Sequence, residues 1–313
     1  MDVAMQEITL VLFTTVGPAG AVGFVVMALS ALVRDVMGRK GAASVGVNAS
    51  SATGMNEHAA TAVVPDAFSR ISRYLVIPLA LAITGLVASA THLGTPANAL
   101  FVLAGVGRSP LSNEVVAAVV FLALGGSFWI ASFYEKLRPR AARAWLSVSI
   151  AAALAFVGFV AAAYSVETVP TWNMAYGPAT LWLGGVSSGV MVGLFGIAVS
   201  KVSFKGSFER VCVLIAATCV LAEVVVLVAE NAALSGVSTT AQEASALVPW
   251  LPAVIGVFAV LNACGVALAF RAAAGGRTLR ERTSLAGAAA ACALVACFAV
   301  RFSFYAMYMT VGL

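Results

Sequence analysis

Charge is scarce in this sequence. Asp and Glu number 13 and Lys and Arg 18, so 10% of the 313 residues are charged, against about 25% in a soluble domain. Hydrophobic residues make up 61%, and the mean hydropathy is +1.00. No soluble core of this length could hide so much apolar surface. Histidine is rarer still, with only His58 and His92. A haem held between helices needs two axial side chains, often histidines, and His58 falls in a polar loop, so no haem is expected. The five cysteines (Cys212, Cys219, Cys264, Cys292 and Cys297) all lie in apolar segments and form no CxxC pair. Cys212 and Cys219, seven apart, share a helix face, but buried cysteine usually acts as a small hydrophobe, and no metal is expected. A nucleotide-binding loop, a cluster-binding cysteine motif and a nucleophile triad are also missing. A chain with this inventory that handled electrons would take them from a diffusible carrier and pass them directly to a partner.

What the sequence has is long apolar runs. A transmembrane helix needs about 20 apolar residues. Eight runs qualify: 8–33, 75–92, 115–134, 144–164, 179–200, 211–230, 250–270 and 284–305. None shows the alternation of a barrel strand, so each is expected to be a helix. The expected fold class is all-α, a polytopic membrane protein forming one eight-helix bundle. The first run is longer than a span requires, and Gly17-Pro18 is expected to kink it unless it is tilted. Eight spans are compatible with two four-helix halves, but no internal repeat is visible.

Sixteen of the 18 basic residues sit in four stretches, 34–73, 135–143, 201–210 and 271–282. Short basic loops stay in the cytoplasm. Only Arg108 and Arg301 then fall on the outer side, and both termini face out. Met1 to Glu7 holds two acids and no base, whereas a secretory signal starts with a positive region. The first apolar segment is therefore expected to be an uncleaved helix. The net charge of +5 points to anionic lipid headgroups, with no nucleic acid as partner. The stretch 41–68 is rich in Ala, Ser, Gly, Thr and Asn and reads as a mobile cytoplasmic linker. The cluster Gly184, Gly185, Ser187, Ser188, Gly189 and Gly193 reads as helix packing.

This topology gathers unusual residues at the outer ends of the helices: His92, Arg108, Asn113, Glu114, Tyr164, Trp172, Glu230, Arg301 and Tyr305. Ionisable groups in a bilayer pair, line a cavity or move protons. Arg301 can snorkel or pair with a carboxylate such as Glu230. Trp172, Tyr176 and Tyr164 can be interfacial belt residues. Asn113 can cap the third helix, and Glu114 can favour its dipole. His92, at the end of a span near Glu114, suits proton exchange because histidine titrates near neutral pH. Glu223 is the deepest acid, about 18 Å above the inner boundary counted from residue 211. It and Glu230 could form a proton path or each meet Arg301 or another polar partner.

Several ordered motifs resemble one family. They are His92-Leu93-Gly94-Thr95-Pro96, Leu111-Ser112-Asn113-Glu114, Thr168-Val169-Pro170-Thr171-Trp172, Ala229-Glu230, the stretch 244–249, Arg301-Phe302-Ser303-Phe304-Tyr305 and Met309-Thr310-Val311-Gly312. Together they resemble the membrane-anchor subunit of dimethyl sulfoxide reductase, the DmsC family. The resemblance implies a subunit of the bacterial cytoplasmic membrane that anchors an iron–sulfur electron-transfer subunit and a molybdopterin catalytic subunit. It also implies oxidation of menaquinol to menaquinone near the outer face in anaerobic respiration. By that likeness His92 and Glu114 take the positions of the quinol site. The chain departs from the family in having Ala161-Ala162-Ala163 before Tyr164, where a basic residue is expected, and Tyr308 in place of a histidine.

Quinol oxidation needs a base within hydrogen-bond reach of the quinol hydroxyl. His92 is the expected acceptor, with Glu114 orienting it or relaying its proton, because an acid stabilises a charged imidazole. Arg108, Tyr164, Trp172, Glu230, Arg301 and Tyr305 would stand around the quinol. The rival readings are a secondary transporter, whose site would sit nearer the midplane, a proton-translocating quinol module using Glu223 and Glu230, and a purely structural anchor.

Overall fold

A computed structural model describes residues 2–49, 67–91, 96–134, 138–202, 207–239 and 242–309. The helices are α1 (Asp2–Gln6), α2 (Ile8–Ala49), α3 (Ala67–Arg73), α4 (Val76–Thr91), α5 (Pro110–Ala131), α6 (Pro139–Ala163), α7 (Tyr176–Val199), α8 (Ser207–Leu234), α9 (Ala244–Leu247), α10 (Leu251–Ala273) and α11 (Leu279–Ala306). A 3-10 stretch, Pro96–Gly105, joins α4 to α5. Among the described residues, eight segments are long and apolar enough to cross a membrane, with α3 and α4 together making the second. The chain is an all-α, multi-pass membrane protein.

The helices outrun the apolar runs that announce them. An apolar count stops at the first charge, while a helix continues until its backbone is capped. α6 begins at Pro139, five residues before the expected start, because proline at the first helical position costs no hydrogen bond. α5 likewise begins at Pro110, capped by Ser109, whose hydroxyl accepts from Ser112 N at 3.5 Å. Asn113 is therefore not the cap expected for this helix. Its Oδ1 accepts from Gly107 N at 2.7 Å and braces a turn in which Gly107 has φ 81°. The stretch 41–68 is also corrected in part. Residues 41–49 contain no proline and extend α2, and 67–68 open α3. The rest of that stretch, with His58, lies outside the described residues.

The eight spans form two rings of four. In the first, α2 packs on α4 and α6, and α5 joins those two. In the second, α7 packs on α8 and α11, and α10 joins those two. The seam between the rings is α2 against α7. Gly185 faces Pro18, Gly189 faces Val22, and Gly193 faces Val26. The numbers rise together by four, so the two helices run parallel and meet along one stripe. A Cβ on Gly189 would stand 2.5 Å from Val22 Cβ and 2.9 Å from the Ala19 carbonyl oxygen, so only glycine permits this approach. The small-residue cluster is thus a packing seam, as its composition suggests. Within the first ring α4 runs against α2, with Gly20 on Pro78 and Ala82, and Gly85 on Gly17.

Burial follows from this plan. α2 has 83% of its apolar window buried and α7 72%, while the other spans have 22–39%. The outer helices turn large side chains such as Leu221, Val225 and Val260 outward, as lipid-facing surfaces require. The basic connections gather at one end. There Arg34 pairs with Glu209, and Arg143 stands 3.7 Å from Asp35. Trp129 Nε1 donates to the Arg73 carbonyl at 2.8 Å. The opposite end holds the polar residues expected of the site.

Candidate functional site

Two helices in the second ring face each other with matched polar steps. α11 presents Cys297, Arg301 and Tyr305 at intervals of four, all buried. α7 opposes them with Thr180, Gly184 and Ser188, also buried. Arg301 donates from its guanidinium to Thr180 Oγ1, and its Cζ lies 5.3 Å from the Phe304 ring centroid. Gly184 leaves room for Glu223. A Cβ there would stand 3.0 Å from Glu223 Oε1 and 3.3 Å from Cys297 Sγ. Both carboxylate oxygens of Glu223 are buried without a hydrogen bond.

Arg301 acts electrostatically on both Glu223 and Glu230. Among the described residues it forms no ion pair with either, so the expected Arg301–Glu230 pairing is replaced by the threonine bond and the ring contact. A guanidinium in low dielectric is costly without partners; a hydroxyl and an aromatic face serve part of it here, while its buried Nε has no hydrogen-bond partner. Counted from Ser207, Glu223 is about 24 Å along α8, with about 17 Å left to Leu234. It lies nearer the end that holds the tyrosines than the basic end.

The second group straddles the seam. Glu114 lies in the second turn of α5, is 0% exposed, and has neither oxygen hydrogen-bonded. It does not cap the helix. It acts electrostatically on Tyr164 and Tyr305, the first ending α6 and the second on α11. Those two rings are 5.7 Å apart and nearly perpendicular, at 79°. The Tyr305 hydroxyl is buried near those of Tyr164 and Thr14, yet it makes no hydrogen bond of good geometry. The Thr14 hydroxyl donates its proton to the Leu10 carbonyl at 2.9 Å, which leaves its oxygen able to accept.

Trp172 completes an aromatic wall. It stacks on Phe304 at 5.0 Å and 17° and meets Tyr305 edge-on at 5.6 Å. The loop after α6 is held there by two side chains that satisfy carbonyls at the end of α11. Thr171 Oγ1 donates to the Met307 carbonyl at 2.6 Å. Trp172 Nε1 donates to the Phe304 carbonyl at 2.9 Å. Trp172 is therefore a fixed wall residue with defined partners.

Of the expected site residues, Glu114, Tyr164, Trp172, Arg301 and Tyr305 come together, and Glu230 lies within reach of Arg301's charge. Arg108 is exposed on the turn before α5. His92 lies outside the described residues. Thr14, Thr180 and Gly184 join the site without having been singled out for it. Their only signal in the sequence is a small or hydroxyl residue on an otherwise apolar helix face. Chemically, the arrangement offers buried acceptor oxygens beside phenol hydroxyls and an aromatic wall, which suits a planar ring that carries hydroxyl groups.

Known proteins share this sequence pattern. The YnfH subunit of anaerobic dimethyl sulfoxide reductase from Escherichia coli K12 is 34% identical over 166 residues, 53% of this chain and 57% of that one. The match thus spans little more than half of that relative's length. The C subunit of anaerobic dimethyl sulfoxide reductase from the same organism is 29% identical over 250 residues, 80% of this chain and 77% of its own. Its Haemophilus influenzae namesake is 31% identical over 120 residues, 38% of this chain and 43% of the relative. The family pattern described as DMSO reductase anchor subunit (DmsC) matches residues 65–306, which takes in seven of the eight spans and every residue of the site except Thr14. The chain belongs to the DMSO reductase anchor subunit family, DmsC.

Proposed function

We propose that this membrane anchor oxidises a quinol, menaquinol in the first instance, at the end that holds Glu114, Tyr164, Trp172, Arg301 and Tyr305. The two electrons pass to an iron–sulfur subunit docked on that end, and from it to a molybdopterin catalytic subunit that reduces an oxo-compound such as dimethyl sulfoxide. The balance is quinol to quinone plus two protons and two electrons on one side. On the other, sulfoxide plus two protons and two electrons gives sulfide and water. The distribution of basic loops supports placing this end outside the bacterial cytoplasmic membrane.

One observation carries the reading: Glu114 is wholly buried with two unoccupied acceptor oxygens beside two phenols. Burying such a group without a partner is costly, and a quinol hydroxyl would supply the missing donor. Glu114 accepts the hydrogen bond and then the proton. Tyr305 and Tyr164 bound the ring, and Trp172 and Phe304 close its apolar side. His92 follows directly on Thr91, the last residue of α4, and serves as the second proton acceptor.

The test uses the assembled complex in membranes, measuring quinol-dependent reduction of the terminal acceptor and binding of a quinol-site inhibitor by fluorescence quenching. Glu114→Gln keeps the shape and removes the base. Turnover should fall about 10²-fold or more, and His92→Ala should fall comparably. Wild-type turnover and inhibitor affinity in both variants would defeat the assignment. The interior position of Glu223 supports a second reading, a quinol module that also moves protons. In that case Glu223→Gln would alter proton release per quinol while leaving inhibitor binding intact.

A further inference from the structure

The basic end of the first ring encloses a cavity of ≈ 210 Å³. It lies between α2, α3, α5 and α6, far from the site described above. Its polar lining is Arg73, Arg143, Asp35, Ser69, Ser72 and Ser132. Phe68, Phe128 and Phe133 supply apolar wall. We propose that this cavity binds the phosphodiester headgroup of a bilayer phospholipid.

Three observations support it. First, the lining holds two guanidinium groups against one carboxylate, which leaves one positive charge, the complement of one phosphodiester. Asp35 stands 3.7 Å from Arg143 Nε, and the same Nε donates to the Pro139 carbonyl at 3.0 Å. Arg73 has no carboxylate within ion-pair distance among the described residues, and its Cζ sits 5.8 Å from the Phe133 ring centroid. Second, the Ser72 hydroxyl, on a residue 1% exposed, has no hydrogen-bond partner. A buried donor of this kind calls for a ligand acceptor, and the cavity that Ser72 lines can house one. Third, Ile130, Phe133 and Tyr134 are exposed on α5 and just beyond it, giving acyl chains an apolar surface next to the charged pocket.

The level in the membrane agrees with this. The cavity lies where α3 and α5 end and α6 begins, among the basic connections, a level that the positive-inside pattern assigns to the headgroup region. Guanidinium groups match phosphate geometrically, and basic pockets between membrane helices recognise phospholipid headgroups. Free phosphate would meet the same cations, but it would leave the exposed aromatic and aliphatic rim uncovered, so the lipid is the source assigned here.

The test uses the purified full-length protein in detergent, stripped of lipid and titrated with short-chain phosphatidylglycerol and phosphatidylethanolamine. Bound lipid is counted by native mass spectrometry. Inorganic phosphate and uncharged diacylglycerol are parallel arms. Arg73→Gln should weaken phospholipid binding at least tenfold. Ser72→Ala removes only an unpartnered hydroxyl, so it should weaken binding several-fold with unchanged thermal stability. That variant keeps the proposal testable if Arg73→Gln folds poorly. Arg280→Gln, in the separate open groove with Arg271 and Arg277, should bind as wild type does. Equal loss in Arg280→Gln would mean diffuse surface attraction and would overturn the site. Unchanged binding in Ser72→Ala and Arg73→Gln would overturn it too, as would equal binding of diacylglycerol. Inorganic phosphate bound as tightly as phospholipid would overturn the lipid assignment.

Discussion

Gly193→Ala should loosen the join between the two rings. The added Cβ would stand 2.6 Å from Val26 Cβ, 2.7 Å from Val26 Cγ1 and 3.1 Å from the Gly23 carbonyl oxygen. Carbon atoms in contact prefer about 3.5–4.0 Å, so α2 and α7 must part locally by about 1 Å. Both are the most buried spans of the molecule, and neither can move without disturbing its own ring. Overpacking of this kind costs about 1–3 kcal/mol. The matched control is Gly126→Ala on α5, where a Cβ meets nothing within 4 Å. There alanine should be neutral or stabilising, since glycine in a helix interior is worse than alanine by about 1 kcal/mol. The measurement is thermal unfolding in detergent, followed by the monodisperse fraction on size exclusion. Gly193→Ala should lower the midpoint by several degrees while Gly126→Ala holds or raises it. Because Gly193 is 13 residues from Thr180 on α7, about 20 Å along the helix, inhibitor binding at low temperature should survive. If the two variants unfold alike, the parallel glycine seam is not what joins the rings.

Four further outcomes can be checked. Arg34→Gln strands Glu209, which is 1% exposed, and should cost about 3 kcal/mol, the lower figure for breaking a buried pair, read as a lower unfolding midpoint. Thr171→Val leaves the Met307 carbonyl without its 2.6 Å donor and should cost about 1–3 kcal/mol, with faster proteolysis of the loop after α6. Trp172→Phe keeps an aromatic ring but loses the bond to Phe304; inhibitor affinity should fall more than the unfolding midpoint does. Arg301→Gln removes the charge that acts on Glu223 and Glu230. It should destabilise the protein, and Glu223→Gln in the same molecule should restore part of the loss.

The existence of the eight spans was legible because hydropathy is additive along a helix and needs no tertiary knowledge. Their ends were not, since Pro110 and Pro139 interrupt no apolar run yet start helices. The choice of neighbours was also invisible. Gly185, Gly189 and Gly193 announce a close contact, but nothing in the sequence says that Pro18, Val22 and Val26 are the other side. Within the site, Glu114, Tyr164, Trp172, Arg301 and Tyr305 stood out as polar or aromatic residues at helix ends, and they meet. The partner of Arg301 did not stand out: Thr180 is an ordinary hydroxyl on an apolar face, whereas Glu230 was the obvious counter-charge. Geometry, here the facing steps of α7 and α11, decides between them.

The parallel seam has a consequence for how the protein is made. α2 leaves the ribosome before α7, the glycine-bearing helix that covers its Pro18, Val22 and Val26 stripe, and three of the described spans are made in between. During that interval the most buried helix of the finished protein faces lipid or the insertion machinery along one side. Its mean hydropathy of 2.0 lets it wait there, because Val22 and Val26 are as comfortable against acyl chains as against glycine. Assembly of the second ring is then a lateral docking event inside the bilayer, driven by fit rather than by escape from water. The acceptor oxygens of Glu114 on α5 and the phenol of Tyr305 on α11 meet only after that docking, so the site is among the last features of the protein to form.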